Sequence, residues 1–139
     1  MFFGAAIQIP SGEIVTGKNS QLLNSGSAAV LNAVKQMAGI PDNIDLLPNL
    51  VIENLARLKR DVMGLPSESL NVEEVLVALA ISAANNPAAE AGMNALKSLS
   101  GCEMHMTHIP TQGDMVGLRR LAINVTTDAE LTPGGYFLR

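Results

Sequence analysis

Cys102, His105 and His108 follow the pattern C-x-x-H-x-x-H, a thiol and two imidazoles in an order that zinc sites use. The run that carries them, Cys102 to Ile109, reads as a strand closed by Pro110. Side chains alternate along a strand, so Cys102 and His108 share one face while His105 points to the other. The three do not converge, no fourth ligand is evident, and no metal is assigned. Glu103, His105 and Thr107 do share a face. Where such a face lines a pocket, Glu103 can orient or charge-pair His105, which then serves as acid or base near neutral pH. No nucleophile accompanies the pair, and a polar sheet face under water is the competing reading.

A second pattern, Gly12-Glu13-Ile14-Val15-Thr16-Gly17-Lys18, matches the G-x-x-x-x-G-K of a phosphate-binding loop, but Asn19 stands where magnesium needs Ser or Thr. Glu13 to Thr16 also reads as the second strand of a hairpin, not as a loop wrapped round phosphates. No nucleotide or other cofactor is therefore expected. What survives is a candidate anion site at the corner formed by Lys18, Asn19 and Ser20, against the simpler reading of a turn capped by its own side chains. Asn85 and Asn86 stand at the mouth of a helix, where capping explains them as well as ligand binding does. The seven methionines are mostly at core spacing.

The elements that must position these groups are legible in outline. Ala5 to Ile9 and Glu13 to Thr16 are short β-branched runs around Pro10-Ser11-Gly12, a β-hairpin. Val30, Leu31, Val34, Met37 and Ala38 mark a helix that Gly39 and Pro41 stop. Leu50, Val51, Leu55, Leu58 and Val62 mark a second helix, ended by Met63-Gly64. Asn71 is a good N-cap with Glu74 placed to close a capping box, and the helix it starts has no charge after its first turn. Being apolar on every side, that helix is expected to be buried all round. Asn86-Pro87 opens a fourth helix, with an alanine-rich face. A short fifth helix from about Gly113 to Leu121 precedes a strand at Ile123 to Thr126, and the tail from Leu131 reads as an edge arm or loose chain. The fold expected is α/β (α+β): a mixed sheet with an N-terminal hairpin and about five helices on its faces, in a single domain over 1–139.

With 139 residues, 47% of them hydrophobic, the chain is long enough to bury its own core. A net charge of -4 argues against nucleic acid, because Arg57-Leu58-Lys59-Arg60 and Arg119-Arg120 suit helix faces and ends better than a phosphate groove. The longest apolar run is too short to span a bilayer, so no membrane partner is expected. A single cysteine and the lack of a charged, apolar leader fit a cytoplasmic protein.

Four runs in this order and spacing carry a more specific signal: Ile14 to Ser20 with Leu22-Leu23, Leu31 to Val34 through Ala38-Gly39-Ile40, Glu74 to Leu79 through Ile81 to Pro87, and Gly101 to His105. Together they resemble the C-terminal domain of a bacterial family of unknown function, number eighteen forty-six, over roughly Ala5 to Asp128. Members of that family resemble longer proteins with a preceding nucleotide-fold-like α/β region. The resemblance implies that this chain is a fragment, a separate C-terminal domain or a short relative, and it implies no activity. The family pattern has Ser-Thr after the histidine where this chain has Met106-Thr107, which weakens any role for a serine beside His105. The opening hairpin, corner and helix also look loosely like a three-layer, cytidine-deaminase-type topology, without its H-x-E and P-C-x-x-C zinc signature.

Two functions follow as expectations. One is a ligand-binding and assembly module that packs on the α/β region of a longer protein, or on copies of itself, and closes a pocket with the Lys18 corner. The other is an enzyme using Glu103 and His105 as an acid–base pair on an anionic small molecule, with Lys18 and Ser20 holding the anion.

Overall fold

A computed structural model describes residues 4–128 of the chain. The tail from Leu131 therefore lies outside the described residues. The hairpin forms as the turn residues require: β1 (Gly4–Gln8) and β2 (Ile14–Lys18) pair antiparallel, and Gly12 takes the positive φ of 92° that its turn needs. Across β1 lies β3 (Glu103–Met106), also antiparallel, and β4 (Asn124–Thr127) joins β3 in parallel, giving the order β2-β1-β3-β4.

The described residues form five α-helices, α1 (Ser25–Ala38), α2 (Asn49–Arg57), α3 (Val72–Ser82), α4 (Pro87–Ala95) and α5 (Gln112–Arg120); α1 lies on β1 and β2 and α5 on β4, while α3 and α4 pack on these two and on each other. The α/β class expected from the sequence is what the chain adopts. The small residues Ser25-Gly26-Ser27, ahead of the periodic run that begins at Val30, are the first turn of α1. Gly39 stops that helix at a φ of 69°. Helix α2 runs on into one π-helical turn, Leu58–Val62. Among the described residues no helix is long and apolar enough to cross a membrane.

The alternation of the strands decides where the core lies. Ala5, Ile7, Met104 and Met106 point to the helices and are buried, joined by the half-buried Val15 and Val125. Helix α1 comes so close to β2 that a Cβ on Gly17 would collide with the backbone of Ala28 and Ala29. The other set, including Gln8, Thr16, Lys18, Glu103, His105 and Thr126, is exposed. Among the described residues helices therefore cover one face of the sheet, whereas the sequence reading had them on both. One buried face suffices for a sheet whose strands alternate apolar and polar.

The start of α3 is tied to three other segments. Asn71 Oδ1 accepts from Glu74 N–H at 3.0 Å and Glu74 Oε1 accepts from Asn71 N–H at 2.9 Å, the capping box its sequence specifies. The same Glu74 oxygen meets Lys59 Nζ at 2.7 Å, and Lys59, only 7% exposed, also donates to the Ser69 carbonyl at 2.7 Å. Asp114, 1% exposed, accepts from Val72 N–H at 3.0 Å through Oδ1 and from Asn24 Nδ2 at 3.1 Å through Oδ2. Its own N–H donates to Thr111 Oγ1 at 3.2 Å, which caps α5. Burial pushes the Asp114 carboxyl above its ordinary value, and these hydrogen bonds oppose the rise.

Helix α3 is not buried all round. Val77 and Ile81 are 60% and 66% exposed, although Val72, Val75, Ala78 and Leu79 are in the core. An apolar sequence demands cover, and within this domain only half of it is supplied.

Two outcomes test this frame. A Cβ on Gly117 would sit 2.6 Å from Val72 Cγ1 and 2.9 Å from Glu73 N, so Gly117→Ala should cost about 1–3 kcal/mol, read as a lower urea midpoint. Because the folded Asp114 holds its proton more tightly than the unfolded chain, its stabilising contribution is complete below the ordinary value of 3.8 and is lost as pH rises through the raised folded value. The urea midpoint of Asp114→Asn should lack that downward component.

Candidate functional site

The open face of the sheet collects three of the residues that the sequence singles out, Lys18, Glu103 and His105. Ladder partners lie on the same side of a sheet, so the register sets Thr16, Ala6, His105 and Thr126 in one row. Gln8, Glu103 and Asn124 form the row on one side of it. Lys18 and Gly4 begin the row on the other, continued by Thr107, whose N–H donates to the Gly4 carbonyl at 3.0 Å. Lys18, Glu103 and His105 thus share one exposed face, with Gly4 and Ala6 as a low floor between Lys18 and the β3 residues.

The imidazole of His105 engages β4. Nδ1 lies 2.8 Å from Thr126 Oγ1 and Nε2 lies 3.0 Å from Asp128 Oδ1, with His105 and Asp128 about half exposed. A carboxylate only accepts, so Nε2 carries the hydrogen, and in the neutral ring Nδ1 accepts from the Thr126 hydroxyl. Protonation of His105 would turn Nδ1 into a donor, and the Thr126 proton would then point to the Met104 carbonyl, 3.4 Å away. Glu103, the partner expected from the sequence, sits two residues along the same strand, a full pleat from the ring. Thr126 and Asp128 escaped the sequence reading because cross-strand neighbours depend on the β3–β4 register. Their period-two spacing with Asn124 was the available signal.

The Lys18 corner divides in two. Lys18 is exposed on the open face, since Val15 and Gly17 take the side toward α1. Asn19 Oδ1 accepts from Ser25 N–H at 2.6 Å, at the start of α1, and Ser20 Oγ accepts from Leu23 N–H at 3.1 Å. Both therefore serve the turn. The phosphate-loop pattern lies on strand β2, where it wraps nothing.

Cys102 and His108 are buried and His105 is exposed; the strand is shorter than the Cys102 to Ile109 run expected, since β3 spans only Glu103–Met106 and His108 follows it in a bend. Among the described residues no group of three His, Cys, Asp or Glu side chains is placed to hold a metal ion. Burial raises the Cys102 thiol above its ordinary range and lowers His108, which Asp114 partly offsets. Away from the sheet, α2 and α3 enclose a groove of about 490 Å³, lined by Val51, Leu55, Val77, Ala78 and Ile81 and rimmed by Asn54, Glu73 and Glu74.

The corner makes a direct prediction. Asn19→Ala should lower stability by about 1 kcal/mol through the lost cap on α1, while Lys18→Ala stays within about 0.5 kcal/mol of the unmodified chain, both by thermal and urea unfolding.

A family model described as domain of unknown function DUF1846, C-terminal, matches residues 3–136. A UPF0371 protein of Clostridium botulinum (strain Eklund 17B / Type B) is 42% identical over 123 residues, 88% of this chain and 24% of its own length. A UPF0371 protein of Streptococcus thermophilus (strain CNRZ 1066) is 45% identical over 123 residues, again 88% of this chain and 25% of its own. The chain spans about a quarter of the length of these curated relatives. With nearly every residue inside the match, the chain belongs to the DUF1846 family and corresponds to its C-terminal domain.

Proposed function

We propose that this domain is an assembly module, seated through the α2–α3 face on the α/β region that makes up the remaining length of its longer relatives. The exposed apolar side of α3 carries this reading. Val77 and Ile81 stand 60% and 66% exposed on a helix whose every face is apolar, and with Val51, Leu55 and Ala78 they line the α2–α3 groove. Contiguous apolar surface on a folded domain marks a contact. The occupant best matched to it is the three quarters of the relatives that this chain does not span.

A second reading, ligand closure on the open sheet face with His105 as acid or base and Lys18 drawing an anionic small molecule, is supported by the register that sets Lys18, Glu103 and His105 on one side. Asn19 and Ser20 contribute to it by holding the corner that presents Lys18.

Mixing the chain with the separately expressed remainder of the streptococcal relative, and following both by analytical ultracentrifugation, tests the assembly reading. Association that Val77→Asp with Ile81→Asp abolishes, without lowering the Tm of the chain, is the expected result. Undiminished association in the double variant contradicts it, as does self-association of the chain through the same residues with none to the remainder.

A further inference from the structure

We propose that Thr126 is a nucleophile on the open sheet face, with His105 as its base and Asp128 as the group that orients the imidazole, and that it accepts acyl groups from activated esters or thioesters. Nothing in the sequence reading places a nucleophile beside His105. The parallel register of β4 supplies one: Thr126 Oγ1 is 2.8 Å from Nδ1, within reach of proton transfer, and Asp128 Oδ1 is 3.0 Å from Nε2. This is the order that covalent catalysis needs: hydroxyl, base, and a carboxylate that fixes the tautomer leaving Nδ1 free to take a proton. Thr126 is exposed on an edge strand, so a planar carbonyl can approach from above the sheet. In the parallel ladder Asn124 N–H and Asp128 N–H donate to Cys102 and Met106, so by alternation Thr127 N–H points to the outer edge of β4. Among the described residues no strand pairs with that edge, which leaves an amide donor next to the nucleophile for the developing oxyanion.

The step balances without any oxidant or metal. Thr126 Oγ1 forms a bond to the carbonyl carbon, its proton passes to His105 Nδ1, and the bond from that carbon to the leaving oxygen or sulfur breaks. The leaving group takes the proton from Nδ1. Water delivered by the same base later cleaves the acyl-threonine. The chemistry rests on the use of His105 as a base in the second reading above, and docking of the α2–α3 face plays no part in it.

The test is p-nitrophenyl acetate with the 139-residue chain, following p-nitrophenolate release and locating the acetyl group by peptide mass spectrometry. The expected result is a burst with acetyl on Thr126. Thr126→Val should remove both and Thr126→Ser restore them, while His105→Gln slows acylation roughly a hundredfold. Asp128→Asn should slow it and shift its pH profile, with far-UV circular dichroism unchanged throughout. Release that is unaltered in Thr126→Val but lost in His105→Gln, with acetyl on the ring, overturns the proposal, because His105 is then itself the nucleophile. Acetyl confined to lysines overturns it as well.

Discussion

The carboxylate of Asp114 is where three distant parts of the chain are held together. One oxygen takes the first amide of α3, the other takes Asn24 just ahead of α1, and its own amide is capped by Thr111 at the head of α5. A negative group at a helix N-terminus is favoured by the helix dipole, and full burial makes it costly, so these donors are what keep it in place. Gly113 and Gly117 complete the junction, since a side chain at either would run into Asn71 or Val72. With its first turn locked by Asp114, by the Asn71–Glu74 box and by buried Lys59, α3 has no freedom to roll its apolar side inward. The outward display of Val77 and Ile81 is thus built into the junction and is not slack in the packing.

How much of this was legible in the residues follows from how local each cause is. The capping box of α3 and the glycine stop of α1 need only neighbours in sequence, and both appear where Asn71, Glu74 and Gly39 indicate. The alternation in Cys102 to His108 likewise separated His105 from Cys102 and His108 without any tertiary knowledge. Helix α3 shows the limit. Its composition says that every face wants cover, but not whether the cover comes from this domain. The partners of His105 were equally hidden, because they are set by the β3–β4 register. Lys59 is buried within a π-helical stretch that the Leu50 to Val62 periodicity does not announce.

The two sides of the domain have different characters. The α2–α3 side is an apolar groove, suited to a permanent contact with another folded surface. The open sheet face is mostly polar: beside an exposed Ile14 it has a cation at Lys18, carboxylates at Glu103 and Asp128, and an imidazole held at both nitrogens. A domain that spans a quarter of its relatives' length can thus be anchored through one side and present the other.

That division is tested most directly by amide hydrogen exchange on a full-length relative compared with this chain alone. The segments equivalent to Asn49–Arg57 and Val72–Ser82 should exchange markedly more slowly in the longer protein, with β4 little changed. Equal exchange in α2 and α3, with new protection confined to the open sheet face, would contradict it and make that face the seat of the contact.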